Sequence, residues 1–212
     1  MEENIEKFIK YLFTTYPKLS TIIKTFEECS KYGEGKEKAY LVSDKTYTIN
    51  FDKLTPWVYG TNGAPCKSAD SLSFSGGFVY LIEFKSGDPT THPNKIKKLI
   101  DGVSGKINDS DKTLLTLYSR SGLCDNERLP QRFFLVADSK KMEIEPALKT
   151  LVGLSLKDNK NQKQVELLDN IMPSLIGNIA NPEHFDKVDV WYSEIFGTYL
   201  NAYNIRDIVC PA

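Results

Sequence analysis

The chain has 212 residues, enough to bury one sizeable core, and its 41% hydrophobic and 26% charged content is that of a globular domain. A formal net charge of −1 does not by itself mark a nucleic-acid binder, and no apolar run approaches the ~20 residues a membrane span needs. The acidic start Met1-Glu2-Glu3 is unlike a secretory or transit peptide, so a cytoplasmic protein is expected.

Cys29, Cys66, Cys124 and Cys210 are widely separated, and His92 and His184 have no metal-ligand spacing to any of them. That pattern speaks for free thiols in a reducing compartment rather than a zinc site. At the N-terminus, Ile5, Phe8, Ile9, Leu12 and Phe13 recur at helical spacing. Pro17 punctuates the stretch, and Leu19, Ile22, Ile23 and Phe26 continue as a second helical segment. After Gly33 and Gly35, residues 39–42 and 46–51 alternate as two strands of a hairpin turning at 43–45, and residues 56–65 form a loop.

Residues 70–75 and 78–85 are strand-like runs separated by Gly76-Gly77. A tight two-residue turn wants positive φ at both central positions, so this is a strong hairpin signal. Pro93 sits where a helix can begin, and Ile96, Leu99, Ile100, Val103, Ile107, Leu114 and Leu117 follow as one long amphipathic helix despite Gly102 and Gly105. Residues 132–137 form an apolar run suited to a strand buried on both faces. Helical patterns return at 144–156 and 164–176, then a short strand at 188–192 and a final helix near 194–203. The order describes a single mixed α/β domain, with a core at about 19–137 and a C-terminal helical extension at about 138–212.

With Gly76-Gly77 as the turn, Phe74 faces Val79, Leu72 faces Leu81, and Asp70 faces Glu83. Side chains alternate along a strand, so Asp70, Leu72, Phe74, Val79, Leu81, Glu83 and Lys85 share one face. Two carboxylates directly opposite each other are destabilising, and at the end of an apolar face they are costly to bury. A hard divalent cation relieves both penalties, because Mg²⁺ takes one or two carboxylates with water and phosphate oxygens. Lys85, two residues beyond Glu83, adds a cation on the same face, and the set is that of a hydrolytic site.

Pro65, then Asp70, then Glu83-Phe84-Lys85 resembles the PD-(D/E)xK motif of restriction-endonuclease-like nucleases, although the proline is not adjacent to Asp70. The resemblance covers about residues 19–137 and implies an αβββαβ core with a central mixed sheet flanked by helices. It also implies hydrolysis of phosphodiester bonds, in DNA, with Mg²⁺ or Mn²⁺. Asp70 and Glu83 would then be metal ligands with the Phe84 carbonyl, and Lys85 would assist the attacking water. A further acidic ligand is expected from the first core helix, with Glu28 foremost and Glu27 and Glu6 behind it.

Lys95, Lys98 and Lys106 are candidate nucleic-acid contacts; for the lysines that begin the helix the alternative is a solvated face, whereas Lys106 flanks the apolar stripe and could reach toward the sheet. A homodimer suits an enzyme that cuts both strands. The competing expectation is a catalytically silent protein on the same fold, binding nucleic acid or another protein.

Overall fold

The computed structural model describes residues 2–33, 38–60, 67–86, 93–123, 129–138, 185–193 and 196–205. Cys66, Cys124, Cys210, His92, His184 and the helical patterns expected at 144–156 and 164–176 lie outside the described residues.

The apolar stripe of the N-terminus forms helix α1 (Glu2–Thr15), which buries Ile5, Phe8, Ile9 and Leu12. The second helical stretch expected from Leu19 to Phe26 is instead divided. A 3-10 turn (Leu19–Ile22) leads into strand β1 (Ile23–Thr25) and then the one-turn helix α2 (Phe26–Cys29). β-branched Ile23 and Thr25 favour the extended backbone, and Thr25 then starts α2 as an N-cap.

The hairpin expected within residues 39–51 does not form. Strand β2 (Lys31–Tyr32) pairs with β3 (Ala39–Tyr40) in a separate two-stranded sheet, whereas β4 (Tyr47–Asn50) pairs antiparallel with β1. Asp44 explains the break. Its carboxylate accepts from Thr46 N–H at 2.7 Å and its carbonyl accepts from Glu27 N–H at 2.9 Å, which turns the chain toward α2.

The segment expected as a loop from Pro56 begins inside helix α3 (Phe51–Tyr59). Asn50 caps that helix by accepting from Lys53 N–H, and Phe51, Leu54, Thr55 and Val58 bury one face while Pro56 stays exposed.

The Gly-Gly hairpin forms in the expected register. Strands β5 (Ser71–Ser75) and β6 (Phe78–Lys85) pair with Phe74 opposite Val79 and Leu72 opposite Leu81. Gly76 and Gly77 have φ of 51° and 82°, the left-handed conformations that such a turn requires. Helix α4 (Pro93–Ser121) then crosses to β7 (Gln131–Ala137), parallel to β6, and β8 (Lys187–Tyr192) pairs parallel with β7. Within the pattern expected near 194–203, helix α5 (Phe196–Tyr199) is described, and the backbone has left the helix at Leu200.

The architecture is mixed α/β. Among the described residues, one six-stranded mixed sheet runs β1-β4-β5-β6-β7-β8, flanked by helices. Leu72, Phe74, Val79 and Leu81 pack with α1, α3 and α4 on one face, and Tyr80, Ile82 and Phe84 pack with Phe26, Phe196 and Leu200 on the other. The C-terminal part is more than a helical extension. It supplies the edge strand β8, Tyr203 N–H donates to the Phe74 carbonyl at 2.8 Å, and Ile205 is fully buried. No helix among the described residues is long and apolar enough to cross a membrane.

Candidate metal centre

β6 is apolar from Val79 to Ile82, with neighbours on both edges, and a charge enters only at Glu83, which is 0% exposed. An unpaired ionised carboxylate there would cost several kcal/mol, on the order of a buried ion's desolvation. The compensation comes from two lysines. Lys106 Nζ donates to Glu83 Oε2 at 2.7 Å, and Lys85 Nζ approaches Glu83 Oε1 at 2.5 Å at an angle outside hydrogen-bond geometry.

Asp70 lies one residue before the β5 ladder begins. Continuing the register makes Asp70 and Glu83 a non-hydrogen-bonded pair, the kind whose side chains lie closest. The next β6 residue, Phe84, therefore turns its N–H toward β5, where the ladder has ended. Asp70 Oδ2 fills that gap, accepting the Phe84 N–H at 2.7 Å. Within a strand, N–H and C=O of one residue leave the same edge, so the Phe84 carbonyl also lies on the Asp70 side. The other oxygen, Asp70 Oδ1, is 3.3 Å from Lys106 Nζ.

The approach to Asp70 is held by α4. Lys67 N–H donates to Asp109 Oδ2 at 3.1 Å, and Ala69 N–H donates to Ser110 Oγ at 2.9 Å. The same helix therefore positions Asp70 through its backbone and neutralises it through Lys106.

Burial, aided by the negative charge of Asp70, pushes the Glu83 carboxyl up to about 7 against the opposing pull of Lys106 and Lys85. Burial alone would lower the Lys106 ammonium. The charges of Glu83 and Asp70 outweigh it and hold Lys106 above its ordinary value, so it stays a cation. Burial, with the Asp70 and Glu28 charges, pushes the Cys29 thiol up to about 12, which keeps it from acting as a nucleophile.

Asp70, Glu83, Lys85 and the Phe84 backbone thus come together. Glu28 does not join them. Its Oε2 accepts from Thr25 N–H at 2.9 Å in a reciprocal capping box at the start of α2, and its Oε1 faces Lys24. Glu27 pairs with Lys45, and Glu6 is exposed on α1. Among the described residues, no three His, Cys, Asp or Glu side chains are grouped for a metal.

Lys98 is exposed on α4, as a solvated face would have it, and Lys95 lies in the first turn of that helix. Lys106 reaches the sheet, where its ammonium bridges the two acids.

Two further acids lie near the site, outside the hairpin motif. Asp52 accepts from Ser68 Oγ at 2.6 Å and lies within electrostatic reach of Asp70 and Lys106. The Asn50 cap before it is the signal, hidden within the strand-like alternation of residues 46–51. Asp138, just past β7, donates its N–H to the Lys85 carbonyl at 3.3 Å. The β7 register is its signal, since Lys85 pairs with Ala137.

Two carboxylate oxygens aimed at one point, beside a strand-edge carbonyl, are a donor set that fits a hard divalent cation. The 2.7 and 3.3 Å distances to Lys106 Nζ are ammonium distances, longer than the ~2.0–2.1 Å of Mg²⁺ to oxygen, so a metal needs the lysine to withdraw. No protein-family model, no curated protein and no solved structure matches the chain.

Proposed function

We propose that the protein is a divalent-metal-dependent nuclease of the PD-(D/E)xK type, acting on phosphodiester bonds in DNA. The observation that carries the reading is the convergence of Asp70 Oδ1 and Glu83 Oε2, from separate segments of one hairpin, on a single cationic atom. The element order around the hairpin supports an αβββαβ core. Helical segments and antiparallel strands precede β6, and the α4 crossover leads to the parallel strand β7.

In this reading Asp70, Glu83 and the Phe84 carbonyl hold Mg²⁺ or Mn²⁺. Such a cation, when bound, lowers the pKa of a coordinated water and neutralises a phosphoryl oxygen. Lys85, 34% exposed and anchored to Glu83, orients the attacking water and balances charge on the phosphate. Asp70 also ties the β5 end to the Phe84 backbone, which fixes the spacing of the two acids.

The test is incubation of the purified protein with supercoiled DNA and Mg²⁺ or Mn²⁺. Nicking is expected, and Asp70→Ala and Lys85→Ala should each abolish it. Undiminished cleavage by both variants would sink the assignment.

One observation favours a second reading, a catalytically silent protein on this fold. Asp70 and Glu83 are already balanced by Lys85 and Lys106, so the cluster is neutral without a metal. Calorimetric titration with Mn²⁺ separates the two. No heat at millimolar metal supports the silent reading, and binding that disappears in Glu83→Ala supports the enzyme.

A further inference from the structure

We propose that Lys106 is a tethered occupant of the cation position between Asp70 and Glu83, and that a divalent cation enters only by displacing it. This rests on the nuclease reading solely in taking a divalent cation as the newcomer. One oxygen of each carboxylate is committed to the ammonium, at 2.7 Å for Glu83 and 3.3 Å for Asp70. A doubly charged metal and an ammonium cannot share a point between two acids, so one must yield.

Lys106 is built to be the one that yields. Its backbone is fixed in α4, where the neighbouring Val103, Ile107 and Ser110 are buried and Ser110 Oγ holds Ala69. Its side chain is 20% exposed, which leaves a way out toward solvent along a flexible four-carbon stem. Lys85 cannot play the same part, because among the described residues its ion pair is with Glu83 and it does not sit at the point shared by both acids. The lysine therefore offsets part of the pair's negative charge while no metal is bound and sets a threshold that the metal must overcome.

The test is calorimetric titration with Mn²⁺ of the wild type, Lys106→Met and Lys112→Met. Methionine keeps the length of the stem and removes the charge. Lys112→Met removes a charge from the same helix at a position 69% exposed, away from the pair. Lys106→Met should bind Mn²⁺ about tenfold more tightly or better, the scale of one lost charge-assisted contact. Lys112→Met should bind as the wild type does.

If the wild type binds and Lys106→Met binds no tighter, or if Lys112→Met tightens equally, the displacement proposal is overturned while the metal-site reading stands. If none of the three proteins binds, both are overturned.

Wild-type protein also carries a test that needs no variant. Amine acylation read by mass spectrometry should modify Lys106 slowly without metal and several-fold faster with Mn²⁺, with Lys112 unchanged. Equal protection of Lys106 with Mn²⁺ bound overturns the proposal.

Discussion

The two ends of the β5–β6 hairpin are built from the same pair of strands and complete their backbone pairing in opposite ways. At the turn end, Gly76 and Gly77 close the ladder on itself, and beyond the Ser75–Phe78 pair the apolar Phe74 and Val79 are paired in register. At the open end the ladder runs out at Ser71, and a side chain, Asp70, takes the place of a backbone acceptor for Phe84. The first end is held by local conformation and packing. The second is held by charge, with Glu83 fully buried and dependent on two lysines. A strand pair can thus carry its stability at one end and a costly, chemically useful cluster at the other, the division expected where function is placed on a rigid support.

The sharpest way to break the open end is Glu83→Gln. It keeps the shape and removes the charge, and metal-dependent cleavage should fall by about 10²–10³-fold or more, measured as the rate of plasmid nicking. The fold should persist, which circular dichroism checks. Leu81→Ala strikes the middle of the hairpin, where the side chain is fully buried between α1, α3 and α4. It should cost about 2–5 kcal/mol in urea unfolding.

A pH series in chelator compares the two ends in one protein. Between about 4.5 and about 7 the folded state holds a proton on Glu83 that the unfolded chain has released. The Glu83 share of stability is therefore present at low pH and is lost as pH rises through that window. Melting of wild type and Glu83→Gln at pH 5 and pH 8 should show a smaller pH-dependent loss in the variant. An equal loss in both would assign the slope to other groups. The mildest change is Gly76→Ala at the turn. A Cβ there meets nothing within 4 Å, so the cost is conformational alone, about 1–2 kcal/mol with no loss of cleavage per folded molecule.

What was legible in the sequence follows the same division. The hairpin register, the long helix from Pro93 and the strand at 132–137 were readable because period and turn chemistry are local. The division of the Leu19–Phe26 stretch was not, since helical spacing of apolar residues also suits a turn, a strand and a short helix that bury the same side chains. The true partners of β4 were set by Asp44 turning the chain away, a tertiary choice invisible in alternation. At the site, Asp70, Glu83 and Lys85 could be placed on one face by counting from the turn. Placing Lys106 between them needed the crossing of α4 over the sheet, which no spacing within α4 specifies.

The Lys106 bridge also imposes an order of assembly. The hairpin closes through a two-residue turn, a short-range event, and its apolar half can collapse as soon as it forms. As an ionised carboxylate Glu83 cannot go dry at that moment, because its bridging counter-ion lies 23 residues further along the chain, on a helix that must first dock. The acidic end therefore keeps its water until α4 arrives. The last part of the hairpin to desolvate during folding is the part proposed to bind metal.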